Sequence, residues 1–303
     1  MKILVFFFII MLNVSWSSLN ATSFKFEFNP STPVTYNVKS KLFKSLDQKG
    51  VQITKEERVL ESEVSITKHI ERGFGQSNIP PTYTFYNKTQ LFNIIQDGKP
   101  VKNPLLDIVA KVISETKTDH EGKIIDISGL DAFDTRVKDS YPPQISEGLL
   151  RGMNSGLMET TLRKEWGEKI GHFSGKEFSI GDTWTSIQKV TLPSSDPAIY
   201  YSEILFSDWV VTQNVKCVRI MMYQHSDADY LGALVSDPKR NDPEAVAETD
   251  ILVSGSIERW VDPTTMLIYF EKSKRKIIFP MTLPENVLVQ ATLIDRSESL
   301  FYY

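Results

Sequence analysis

The sequence predicts a mainly β protein of the α+β kind, an antiparallel sheet with one covering helix around residues 144–162. Runs rich in β-branched and aromatic residues recur between turn signals such as Asp97-Gly98. Two stretches read as hairpins, VISETKTDHEGKIIDIS (Val112 to Ser128) and SGSIERWVDPTTMLIYFE (Ser254 to Glu271). A single segment departs from this, with Ile145, Leu149, Met153 and Leu157 repeating every fourth residue as on a helix.

The first element is an export signal. Lys2 precedes the apolar run ILVFFFIIML (Ile3 to Leu12), and small and polar residues follow. That is the layout of a secretory signal peptide over residues 1–21, cut after Ser17 or Ala21. The run is shorter than the ~20 residues a spanning helix needs, and an uncleaved anchor is the alternative. No later stretch is long and apolar enough to cross a membrane as a helix. Cys217 is the one cysteine, so no disulfide forms within the chain. A bacterial periplasm or envelope is the expected location, secretion the other. Cys217 lies in the apolar run VKCVRIMMY and is expected to be a buried thiol. The net charge of -4 argues against nucleic acid as a partner. The sequon Asn87-Lys88-Thr89 matters only in a eukaryotic secretory pathway.

Strands are expected at Val34 to Leu46, Thr82 to Tyr86, Gln90 to Gln96, Ile108 to Thr118 and through KIIDIS. After Phe178 to Trp184, more are expected at Trp184 to Leu192, Ile199 to Phe206, Trp209 to Tyr223, Val253 to Val261, Met266 to Glu271, Ile277 to Phe279 and Val287 to Ile294. Residues 225–249 read as a polar loop. The mature region 22–303 then divides into two sub-halves, 22–141 and 176–303, joined by a helix over 144–166. Their similarity reads equally as duplication or as the general likeness of hairpins.

The helix raises the main question. Gly148, Gly152 and Gly156 fall on the flank of its apolar stripe, and each costs roughly 1 kcal/mol relative to alanine. A row without side chains admits a close neighbour: a sheet, a second helix or an apolar ligand. Gly148, Gly152, Gly156, Leu149, Met153 and Leu157 are therefore the candidate lining of a ligand cavity.

A further pattern joins Gly181-Asp182 and Trp184 to the hairpin Trp260-Val261-Asp262-Pro263-Thr264-Thr265. It resembles that of the LolA/LolB lipoprotein carriers and related outer-membrane lipoprotein-sorting proteins, with Thr265 standing where those usually have glycine. The resemblance implies an open half-barrel, a curved antiparallel sheet whose helices cover an apolar cavity. It implies a carrier of acyl chains and supplies no catalytic residues.

Chemistry is sparse. His69, His120, His172 and His225 are scattered without zinc-ligand spacing, and no nucleophile elbow or phosphate loop is present. Asp227, Asp229, Asp237 and Asp242 lack the glycine and glutamate of an EF-hand and read as a solvated loop. Lys272, Lys274, Arg275 and Lys276 form a basic cluster, either a charged hairpin turn or a contact for anionic headgroups. The expectation is a non-enzymatic envelope protein that binds a lipid or a lipoprotein acyl chain, without cofactor or metal. The alternatives are an adaptor that docks an envelope protein by its sheet edges or the 225–249 loop, and a hydrolase without a recognisable nucleophile.

Overall fold

The computed structural model describes residues 23–30, 32–48, 51–70, 80–101, 104–171, 173–192, 195–226, 252–282 and 288–303. The expected export signal over 1–21, His172, Asp227, Asp229, Asp237, Asp242 and nearly all of the expected 225–249 loop lie outside the described residues.

A first meander runs through β2 (Val34–Gln48), β3 (Val51–His69), β4 (Thr82–Gln96) with its short partner β5 (Lys99–Pro100), β6 (Ile113–Thr118) and β7 (Ile124–Ser128). The helices α1 (Pro104–Val109), α2 (Asp131–Ser140), α3 (Pro143–Gly152) and α4 (Ser155–Trp166) flank it, and α4 runs into a π-helical turn, Gly167–Gly171. A second meander follows: β9 (Thr183–Leu192), β10 (Ser195–Thr212), β11 (Val215–His225), β12 (Leu252–Val261), β13 (Ile268–Thr282) and β14 (Leu288–Tyr302). β14 pairs antiparallel with β2, Ala291 opposite Gln48 through Tyr302 opposite Asn37, so both meanders form one twelve-stranded sheet. Its order is β7-β6-β4-β3-β2-β14-β13-β12-β11-β10-β9, open at β7 and β9 and not closed into a barrel. A separate ribbon of β1 (Ser23–Lys25) and β8 (Glu177–Ser179) carries Phe24 and Phe178 into the main core.

The sheet curls. Gln213, in the β10–β11 turn, donates to the carbonyl of Phe301 and accepts from the Tyr303 N–H at 3.1 Å, although three strand pairings separate β11 from β14. Period-2 alternation aims one set of side chains into this curl. Ile66, Phe85, Phe206, Val218 and Ile220 lie there at 6% exposure or less, packed on Phe26 and Phe173. A second cluster joins Tyr200 of β10 to Ile277, Phe279 and Leu293 at the other end of the strands. Polar pairs separate the two clusters, Ser273 with Ser297 at 2.7 Å and Arg275 with Asp295 at 3.3 Å.

Several sequence expectations are corrected. The expected helix over 144–166 is two helices, broken at Met153 and Asn154. The Asn154 side chain accepts from the Leu157 N–H at 3.0 Å, and Asp134 accepts from the Ser155 N–H at 2.9 Å and its hydroxyl at 2.6 Å. A two-residue cap leaves the four-residue spacing intact, so the sequence conceals the break. The expected strand Trp209 to Tyr223 contains a hairpin turn, because Gln213 and Asn214 both take positive φ (47° and 62°), as a two-residue turn requires. β13 passes straight through the basic cluster, which is therefore no turn. Ile108 begins no strand: it lies in the last turn of α1, and β6 starts at Ile113.

Candidate functional site

An apolar hollow of about 270 Å³ lies between the inner face of the sheet and the end of α4. β2, β3, β4 and β14 supply its floor, including Val38, Leu60, Val64, Phe85 and Phe301. Leu162, Trp166, Lys169 and Ile170 cover it from the helix side. Trp166 is fixed by its indole N–H, which donates to the Gly122 carbonyl at 2.7 Å, and by edge contact with Phe85 at 4.9 Å. The volume is just under the ~300–1,000 Å³ common for ligand pockets. Two larger depressions, about 380 and 520 Å³, are more open, and the second is lined by polar groups such as Asn37, Lys39 and Glu61.

The far wall is built by the Asp262 hairpin. Asp262 accepts from the Thr264 N–H at 2.9 Å, the Thr264 hydroxyl at 2.8 Å and the Thr265 hydroxyl at 2.7 Å. The positive φ falls on Met266 (58°), which sets Met266, Leu267 and Ile268 against the hollow. Thr265 thus acts as a hydrogen-bonding residue where the resemblance expects glycine. Tyr303 stacks between Tyr36 and Tyr269, each at 4.5 Å, and its hydroxyl donates to the Ile268 carbonyl at 2.9 Å. Burial raises the Tyr36 and Tyr303 hydroxyls and pushes Tyr269 up to about 12. Burial first, then the Asp262 charge, pushes the Cys217 thiol up to about 12, so it stays protonated at neutral pH.

Polar groups are few. Ser40 and Ser299 pair hydroxyl to hydroxyl at 2.8 Å. Asn87 has a buried Oδ1 with no hydrogen-bond partner among the described residues. Such an acceptor costs about 1–3 kcal/mol unless something donates to it. Its position on the hollow's wall also sets the sequon apart from an exposed loop acceptor.

The cover is held down by charge. Arg259 meets Glu271 at 2.7 Å with the two side chains 4% and 15% exposed, and Lys169 reaches the same carboxylate at 3.6 Å. Arg259 also donates to the Glu168 carbonyl at 3.3 Å, so β12 and β13 grip the π-helical turn. Burial disfavours the Glu271 carboxylate, but Arg259 and then Lys169 outweigh it and hold it at about 2.

The candidate residues chosen from sequence fall elsewhere. Gly148, Gly152 and Gly156 are exposed, and a Cβ built on Gly148 or Gly152 meets nothing within 4 Å. Leu149 and Met153 pack on Phe133 and Val137 of α2 in a satellite core. Leu157 is 49% exposed. None of the six lines the hollow. Gly148 and Gly152 sit on the solvent side because α3 turns Ser146, Leu149 and Leu150 inward and the two glycines fall off that arc. Gly148→Ala is therefore expected to stabilise the fold by about 0.5–1 kcal/mol, read as a higher melting temperature with ligand affinity unchanged.

Neither a protein-family model nor a curated protein matches the chain. One solved structure to which it is similar is described as lipid-protein interactions in lipovitellin, with 11% identity and a TM-score of 0.44. The match covers 91% of this chain and 26% of that one, so the chain spans about a quarter of that protein's length.

Proposed function

We propose that the protein is a non-enzymatic carrier that holds an acyl chain or similar apolar ligand in the hollow beneath Trp166 and Ile170. The observation that carries this is a hollow of about 270 Å³ with an apolar floor, a fastened cover and one unanswered acceptor, Asn87 Oδ1. A mostly apolar concavity with a few fixed polar groups suits a ligand held by area, with a polar end oriented by hydrogen bonding. The resemblance of the Trp260 to Thr265 hairpin to that of the lipoprotein carriers supports the same reading. The signal-like segment over 1–21 supports an exported carrier, with a bacterial envelope as the compartment proposed.

The test is titration with a fluorescent fatty acid. Ser62 lines the hollow and is 5% exposed, so Ser62→Phe fills the space from the sheet side. Saturable binding by the parent chain, at least tenfold weaker in Ser62→Phe and equally weak in Leu60→Trp, is the expected outcome. Unchanged affinity in two folded variants defeats the proposal.

A further inference from the structure

A separate feature lies on the outer face of the same sheet, away from the hollow. Along β13 the outer residues are Lys272, Lys274 and Lys276, all exposed or half-buried. Arg275, between them in sequence, points to the inner face and pairs with Asp295 at 3.3 Å. The register continues the basic surface across three more strands. Lys274 stands opposite Arg296 of β14, Arg296 opposite Phe43 of β2, and Lys41 is two residues along β2 on the same face. Lys55 of β3 and Arg296 lie 5.4 and 5.7 Å from the centre of the Phe43 ring.

Few acids answer these cations. Glu298 pairs with Lys272 at 3.2 Å, Glu258 of β12 stands opposite Lys272 on its other side, and Glu57 stands opposite Phe43. No ion pair joins Lys274, Lys276 or Arg296 to a carboxylate among the described residues. Two cations directly opposite across a strand pair destabilise a sheet. Here the repulsion is kept on a chain whose net charge is -4. Strands lie about 4.8 Å apart, so the basic zone from β3 to β13 is about 14 Å wide. It lies on a strand face, and none of its cations lines the two open depressions.

We infer that this outer basic face, centred on Lys274 and Arg296 with Phe43 beside them, docks the protein onto an anionic lipid surface. A broad array of unpaired cations matches a plane of headgroup charges, each basic residue adds to the attraction, and salt screens it. A flat partner is favoured over an acidic protein because the cations spread over four strands, from β3 to β13.

The experiment is co-sedimentation of the chain, purified from its own cells, with phosphatidylcholine vesicles containing about a third phosphatidylglycerol, and with pure phosphatidylcholine. Binding is expected to the anionic vesicles alone and to fall at least tenfold when salt is raised from about 0.05 to 0.5 M. Lys274→Glu with Lys276→Glu is expected to lose it by at least tenfold, whereas Lys274→Arg with Lys276→Arg retains it. Circular dichroism and fatty-acid titration confirm that each variant folds and keeps its hollow, which separates this inference from the carrier reading. Equal binding by the charge-reversed variant, equal binding to neutral vesicles, or capture by soluble polyglutamate without vesicle binding overturns it.

Discussion

Arg259→Leu is expected to lower stability by about 3–5 kcal/mol and to loosen the π-helical turn from the sheet. Removing one member of a buried ion pair leaves the other charge desolvated and poorly compensated, which is far costlier than losing a surface pair. Glu271 would keep only Lys169, at 3.6 Å and a third exposed. The loss should appear in urea denaturation as a lower midpoint at unchanged slope. Arg259→Leu combined with Glu271→Leu should recover much of it, because no buried charge remains. A cost below about 1 kcal/mol for the single variant would show that the pair does not fasten the cover.

The same pair sets a pH dependence. The folded carboxyl of Glu271 titrates at about 2 against an ordinary 4.5, so the folded state prefers it ionised. Its contribution is therefore present above about pH 4.5 and is lost as pH falls from 4.5 toward 2. The difference corresponds to about 3 kcal/mol. Glu271→Gln should flatten stability against pH in that window, where the parent chain falls away.

Trp166→Ala is expected to cost about 3 kcal/mol, the scale of a large aromatic truncated in a partly buried site. The indole N–H bond to Gly122, the edge contact with Phe85 and the packing on Phe28 at 6.2 Å would all go. The hollow would open above Phe85, so bound fatty acid should dissociate faster in a variant that still folds at low temperature. A stability loss with an unchanged dissociation rate would make Trp166 a core residue and no part of a cover.

Much of the sheet was legible because its strands are rich in β-branched and aromatic residues between turn signals, as in β4 before Asp97-Gly98 and in β12 with its Asp262 hairpin. β3 was not, since Glu56 and Arg58 face inward where an apolar residue marks a strand. The inward polar pairs of β13 and β14 hid the middles of those strands in the same way. The glycine row misled for a different reason: Ile145 is 52% exposed and Ser146 buried, so α3 turns inward an arc shifted from the apolar stripe that spacing picks out. The hollow was invisible because its walls come from eight separated segments, joined only once β14 pairs with β2. Val64, Phe85 and Phe301 each read as ordinary strand residues. The inner serines Ser40, Ser62 and Ser299, at positions that elsewhere carry large apolar groups, were the one local sign of missing volume.

Native mass spectrometry of the chain from its own cells, compared with its denatured mass and with Ser62→Phe prepared in parallel, tests the carrier claim most directly. A bound species of acyl-chain mass, present on the parent protein and absent from the folded variant, is the result this account predicts. Identical ligand-free masses for both, with no uptake of added fatty acid, would contradict it and leave the hollow as a packing feature of the sheet.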